Sequence, residues 1–254
     1  MEASVDVREL EERVKDMYRA VASKPDDEYH FEMGRPLADR LGYPADLLDR
    51  VPAAAVESFA GVGYFFDLAA LREGESVIDL GSGSGMDVFC AAVQVGEGGS
   101  VLGVDFTDEQ LEKARGLAVN AFPQVELREG RIEELTAEDA SADCVISNGV
   151  VNLAPDKGRV FAEAARVLRP GGRLAIADIV SEQQLKESIV CDVDLWASCI
   201  GGAAQEDAYR EAIEGAGLQI EAMHENPYHF ISERASNASE KYGVKSVSLL
   251  AVKG

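Results

Sequence analysis

The sequence predicts an α/β protein: a doubly wound, mostly parallel seven-stranded sheet preceded by a helical region. Three observations support this. From residue 74 onward, apolar strand-like runs alternate with amphipathic helical stretches, the pattern of βαβ units. The runs at 77–80, 144–146 and 174–177 are nearly continuous in apolar residues, as strands covered on both faces are. The first strand also runs directly into a loop with three alternating glycines, Gly81, Gly83 and Gly85, ahead of a helix. In a doubly wound sheet, that first strand-to-helix turn is where a ligand is held.

The elements follow in order. Val7, Leu10, Val14, Met17, Tyr18 and Val21 recur at helical spacing, which predicts an amphipathic first helix. The stretch 23–36 breaks it, and short helices are expected near 36–41, 44–50 and 52–61, the last stopped by Gly61. Residues 1–73 therefore read as a helical N-terminal region placed to cap an active site, and residues 74–254 as the sheet domain. Strands are expected at 75–80, 100–105, 124–129, 142–148, 173–180, 218–225 and 246–252. The principal helices are expected at 85–95, 107–121, 156–168 and 205–217. Thr107 is the expected N-cap of the second of these, with acids in its first turn to suit the helix dipole. Only loop and a short helix separate the last two strands, so the final one is expected to run antiparallel.

Acids outnumber bases 46 to 24 and the formal charge is −22. Such a field repels phosphate backbones and anionic membrane surfaces, so neither nucleic acid nor membrane is an expected partner. The same balance suits a salt-rich, halophilic cytosol in which self-repulsion is screened. No run reaches the roughly 18 apolar residues that span a bilayer, and the charged N-terminus lacks a signal-peptide core. A cytoplasmic protein, monomer or homodimer, is expected. The four cysteines form no CxxC pair, and no metal-ligand spacing appears.

The glycine loop restricts its ligand. The dinucleotide fingerprint G-x-G-x-x-G, aligned on Gly81, would need a third glycine where Met86 stands. A phosphate-binding Walker loop needs a lysine that is absent. Asp79 precedes the loop instead, and a carboxylate there repels pyrophosphate but suits a ligand carrying an ammonium and a sulfonium. Asp105 closes the second strand, where an acid accepts the hydroxyls of a ribose. Phe106 follows it, placed to lie against an adenine, and residues 130–135 face the other side of the base.

With "VIDLGSGSG", "GVDFTDEQLEKAR", "GRIEEL", "DCVISNGVVNL" and "VLRPGGRLAIADI" in this order, residues 74–254 resemble the class I S-adenosylmethionine-dependent methyltransferases. The resemblance implies a Rossmann-like fold, S-adenosylmethionine as cofactor and S-adenosylhomocysteine as product. It implies that Asp79, Gly81, Ser82, Gly83 and Gly85 cradle the methionine part and that Asp105 holds the ribose. Phe106, Ile132 and Glu133 would surround the adenine, and Asn148 and Val150 would line the cofactor near its sulfur.

More narrowly, "SNGVVNLAPDKGRVFAEAARVLRPGGRLAIADIV" and "DLWASCIGGA" resemble the arsenite methyltransferase-like subgroup. That subgroup holds trivalent arsenic on three cysteines, since a soft centre prefers thiolates. Here two of the three positions carry Val62 and Gly149, and only Cys199 remains. Cys144 lies about 16 Å up its strand from Gly149 at ~3.3 Å per residue, Cys90 is expected under the sheet, and Cys191 is eight residues before Cys199. The expected acceptor is therefore a different small molecule, in a pocket enlarged by Val62 and Gly149 and walled by Trp196, Tyr64, Phe65 and Phe66. Cys199 and His30 are the candidate catalytic residues, His30 as base or substrate contact; nothing links His224 or His229 to the site. The alternatives are an arsenite or thiol methyltransferase using Cys199, and a non-catalytic S-adenosylmethionine-binding protein.

Overall fold

The computed structural model describes residues 7–24, 29, 31–190, 192, 195–196, 200–231 and 233–254. The N-terminal region holds α1 (Val7–Ser23), α2 (Gly34–Leu41), α3 (Ala45–Leu48), α4 (Ala53–Glu57) and α5 (Phe66–Ala69). The sheet domain follows as β1 (Ser76–Leu80), α6 (Met86–Val95), β2 (Ser100–Asp105), α7 (Asp108–Ala118), β3 (Val125–Glu129) and β4 (Ala142–Asn148). After a 3-10 turn (Val151–Leu153) come α8 (Lys157–Val167), β5 (Leu168–Ser181), α9 (Glu187–Val190) and β6 (Ala204–Gln205). The chain closes with α10 (Glu206–Gly215), β7 (Leu218–Glu225), α11 (Glu233–Tyr242) and β8 (Val244–Lys253).

The strands order as β3-β2-β1-β4-β5-β8-β7. β1 pairs in parallel with β2 and β4, and β4 with β5. β8 runs antiparallel between β5 and β7, as expected for the last strand. An eighth strand absent from the sequence reading, the two-residue β6, adds to the end of β5 at Val180 and Ser181. It is too short to carry a periodic signal. Helix α4 ends at Glu57, four residues before the glycine expected to stop it.

Side chains on the sheet alternate between two buried layers, as period-2 strands must. Val77, Cys144, Ile146, Ala175 and Ala177 face α6, α7 and the N-terminal helices. Ile78, Val145, Leu174 and Ile176 face α8 and α10. The strand order reverses around β1, so a crevice opens at the carboxyl ends of β1, β2 and β4. Arg173 ties the N-terminal region to this sheet: its Nε donates to the Ala69 carbonyl at 2.7 Å and its guanidinium meets Glu75 at 2.6 Å.

Gly85 opens α6 at φ +94, and a Cβ there would lie 2.8 Å from the Phe89 ring and 3.3 Å from Ala114. Gly85→Ala is expected to destabilise the fold by about 2 kcal/mol, from left-handed backbone strain and crowding; urea unfolding of the ligand-free protein measures this.

Candidate functional site

The crevice contains a cavity of about 1120 Å³, open solvent at its mouth included. Ten of the eleven residues expected to hold the cofactor line it: Asp79, Gly81, Ser82, Gly83, Asp105, Phe106, Ile132, Glu133, Asn148 and Val150. Gly85 does not; it serves the turn and the packing of α6 on α7. Gly81, at φ +77, lies so close to Val150 that a Cβ would come within 2.4 Å of it, so the loop backbone itself forms the wall.

Three buried carboxylates meet here. Asp79, at the end of β1, is 2% exposed. Among the described residues no hydrogen-bond donor reaches it, and burial, then Asp87 and Asp105, push its carboxyl well above the ordinary range. Asp105 is held by the Gly83 and Thr107 amides at 2.9 and 2.8 Å, which partly offset the upward push of burial. Thr107 occupies the N-cap position of α7 without a side-chain capping hydrogen bond, and its hydroxyl is buried without a partner among the described residues. Asp87, in the first turn of α6, is raised by burial to about 6 although Tyr43 and Asn148 donate to it. The Ser82 hydroxyl is buried without a partner.

The sequence reading missed Asp87, Ser84, Met86, Gln110 and the contribution of α1. Leu10, Glu11, Val14 and Tyr18 of α1 line the cavity. The helix is tied down through Arg19–Glu109, Arg131–Glu11, and Gln110 Nε2 donating to the Tyr18 carbonyl. Gln110 also accepts from the Ser84 hydroxyl, joining α1 to the glycine loop. Lys15 Nζ lies 5.1 Å from the Phe106 ring centre. The amphipathic spacing of α1 and its membership of a capping region were readable, but which of its residues reach the cavity was not.

The acceptor-side expectations need correction. Val62 and Gly149 do not enlarge the cavity; neither lines it. Val62 is 1% exposed, and a Cβ built on Gly149 would lie 3.1 Å from its Cγ1, so the valine fills the space beside the glycine. Tyr64, Phe65, Phe66 and Trp196 do not wall the cavity either. Tyr64 and Phe66 pack on Tyr43, and Trp196 lies 5.5 Å from Lys157 Nζ. Phe59, Met86 and Phe106 line the cavity instead. Cys90 and Cys144 are fully buried; burial pushes the Cys144 thiol up to about 12 and the Cys90 thiol well above its ordinary value. Neither offers a thiolate. His30, Cys191 and Cys199 lie outside the described residues. His224 and His229 are exposed and do not line the cavity.

Residues 71–217 match the family described as "Methyltransferase domain", and the chain belongs to that family. Its mostly parallel sheet with flanking helices is that of the Rossmann-like class I methyltransferases. It is 44% identical to an arsenite methyltransferase of Halobacterium salinarum over 72% of this chain and 46% of that one. It is 45% identical to one of Aquipseudomonas alcaligenes over 53% and 41%. The chain thus spans about half the length of the curated relatives it matches. A solved arsenic(III) S-adenosylmethionine methyltransferase of Chlamydomonas reinhardtii superposes at a TM-score of 0.64, with 30% identity over 87% of this chain and 74% of that one. Geranyl diphosphate methyltransferase superposes at 0.67 with 18% identity, covering 96% and 99%, a likeness of fold alone. No described helix is long and apolar enough to cross a membrane.

The raised carboxyls have a cost. The folded protein holds these protons more tightly than the unfolded chain, so ligand-free stability falls as pH rises from the ordinary carboxyl range through the folded value. For Asp87 that window runs from 3.8 to about 6, on the order of 2–3 kcal/mol. Asp79→Asn is expected to raise the melting temperature of the ligand-free protein at pH 8 by about 2–5 °C, with a smaller gain at pH 5.5; thermal melts at the two pH values measure it.

Proposed function

We propose that the protein transfers a methyl group from S-adenosylmethionine to a small-molecule acceptor in the cytoplasm, with residues 1–73 capping the site. The observation that carries this reading is Asp79: a buried carboxylate on the cavity wall that nothing in the described chain neutralises. A cationic ligand is what such a group lacks, since a buried charge without a partner is costly. The glycine loop, the unpartnered Ser82 hydroxyl, Asp105 at the end of β2, and the slot between Phe106 and Ile132 fit the rest of that cofactor.

When bound, S-adenosylmethionine supplies an electrophilic methyl group on a sulfonium. The chain's own part is positioning and the exclusion of water. Asp79 and the loop backbone of Gly81 and Gly83 hold the methionine end. Asp105, fixed by two backbone amides, presents its remaining lone pairs to the ribose hydroxyls. Phe106, Ile132 and Glu133 flank the adenine, and Val150 presses on Gly81 near the sulfur. Leu10, Val14 and Tyr18 of α1 close the cavity from above and keep solvent from the sulfonium. The charge of −22 argues against nucleic-acid substrates, and monomer or homodimer is the assembly assumed.

The acceptor is argued from Val62 and Gly149. These stand where the arsenite-methyltransferase resemblance expects thiolates, and they pack on each other as hydrocarbon. Cys90 and Cys144 are buried as neutral thiols, so neither described cysteine offers a thiolate to a soft trivalent centre. The relatives named for arsenite favour a second reading, arsenite or thiol methylation through Cys199. A cofactor-binding protein without turnover is the third.

Conversion of S-adenosylmethionine to S-adenosylhomocysteine with a panel of oxygen, nitrogen, sulfur and carbon acceptors tests the reading; turnover with one of them is expected, and Asp79→Asn is expected to weaken donor binding at least ~10-fold. Arsenite-dependent turnover abolished by Cys199→Ser would instead establish the second reading. A Cβ on Gly149 would lie 3.8 Å from the Val62 Cβ, the separation typical of paired cysteines. Val62→Cys with Gly149→Cys is therefore expected to gain arsenite affinity over the parent by at least ~10-fold, read by dithiol competition.

A further inference from the structure

Asp87 and its partners connect the N-terminal region to the floor of the cavity. Asp87 lines the cavity beside the glycine loop. The Tyr43 hydroxyl, from the turn between α2 and α3, donates to Asp87 Oδ1 at 2.6 Å. Asn148 Nδ2, at the end of β4, donates to Asp87 Oδ2 at 3.0 Å, and also reaches the Tyr43 hydroxyl and the Gly63 carbonyl, each at 3.0 Å. The Asn148 carbonyl oxygen in turn accepts from the Val62 and Gly63 amides at 2.7 and 3.3 Å. The asparagine expected to touch the cofactor thus spends its polar atoms on holding Asp87 and the 61–63 segment.

This arrangement orients a carboxylate without neutralising it. Each Asp87 oxygen has one neutral donor and further lone pairs left over. Among the described residues no lysine, arginine or histidine is paired with Asp79, Asp87 or Asp105. Two acids at the methionine end of the cavity, close enough that Asp87 raises Asp79, call for a cation between them. On the methyl donor, the ammonium group is the cation that belongs beside the glycine loop.

We propose that Asp87 is a second carboxylate on the ammonium group of the methyl donor, and that Tyr43 is the positioning residue that holds it there. The proposal rests on the methyl-donor reading above. It makes the N-terminal region part of the donor site through a named hydroxyl, in addition to covering it with α1.

The charged and titratable groups facing Asp87 are Asp79 of β1, Cys90 on the next turn of α6, and Tyr43 and Tyr64 of the N-terminal region; Asp105 of β2 acts on Asp79 behind them. Of these, the Tyr43 hydroxyl lowers the Asp87 pKa by donating to it. Removing it raises the pH at which Asp87 ionises, and so the pH at which the ammonium is gripped.

The test is calorimetric titration of the full chain with S-adenosylhomocysteine, which keeps the ammonium but lacks the sulfonium, from pH 5.5 to 8.5. Affinity of the parent protein is expected to rise with pH. Tyr43→Phe is expected to weaken binding about 3- to 10-fold near pH 6, with the deficit shrinking toward pH 8 as the binding midpoint moves up. Asp87→Asn is expected to weaken it about 10- to 100-fold at pH 8 and to remove the part of the rise centred near pH 6 that Asp87 contributes. Tyr209→Phe is the matched control: that hydroxyl also donates to a buried carboxylate, Asp178, at 2.6 Å, but neither residue lines the cavity, and its binding curve is expected to follow the parent's. Tyr43→Phe and Asp87→Asn binding like the parent, or weakened by one constant factor at every pH, would overturn the proposal. A parent protein that binds neither S-adenosylhomocysteine nor S-adenosylmethionine would overturn the methyl-donor reading itself. Tyr43→Phe leaves the carboxylate in place, so the test stands on either variant.

Discussion

The site is organised around three buried carboxyl groups that no cationic side chain among the described residues pairs with. Three aspartates converge at the carboxyl ends of β1 and β2 and the start of α6, and burial raises all three carboxyls. A fold selected for stability alone would neutralise them or replace them with hydrocarbon. Keeping them costs ligand-free stability at neutral pH, and that cost is recovered when a cation enters. Strain concentrated at a ligand site and offset by the surrounding packing is what functional sites generally show.

The surroundings account for how the charge is held. β1 sits where the strand order reverses, so its end faces an open crevice while both faces of the sheet are packed. Asp105 accepts from the Gly83 amide of the glycine loop and from the Thr107 amide two residues on, and the first of these couples the glycine turn to the second strand. Asn148 joins β4, α6 and the N-terminal region through one side chain. On the far side of the 61–63 segment, the Ser246 hydroxyl donates to the Val62 carbonyl at 2.6 Å and the Ser248 hydroxyl to the Tyr64 carbonyl at 2.8 Å. The segment that carries Val62 is therefore held from β4 and from β8, and Val62 packs against the α-carbon side of Gly149.

The sheet was legible because its signals are local. Alternation of apolar runs with amphipathic stretches gives β1 to β5 and their helices, and the glycine loop with its flanking Asp79 and Asp105 gives the donor end. What was not legible depends on tertiary partners. Asp87 falls in the first turn of α6, where an acid also suits the helix dipole, and nothing local distinguishes that from a ligand contact. Tyr43 sits in a turn, and nothing in the residues around it assigns a role to its hydroxyl. Thr107 stands at the N-cap position of α7, but its buried hydroxyl makes no capping hydrogen bond. For Val62 and Gly149 the sequence suggested a larger pocket, because only the fold reveals that one side chain fills the space the other lacks. The aromatic run at 64–66 looked like a pocket wall and is instead packed with Tyr43.

The central claim is that this charge waits for a cationic methyl donor. Calorimetry of S-adenosylmethionine binding at pH 6, in two buffers of different ionisation enthalpy, tests it most directly. If protonated carboxyls give up protons to receive a cation, the heat must differ between buffers by an amount corresponding to net proton release. Binding with no proton exchange, or with net uptake, would contradict the account.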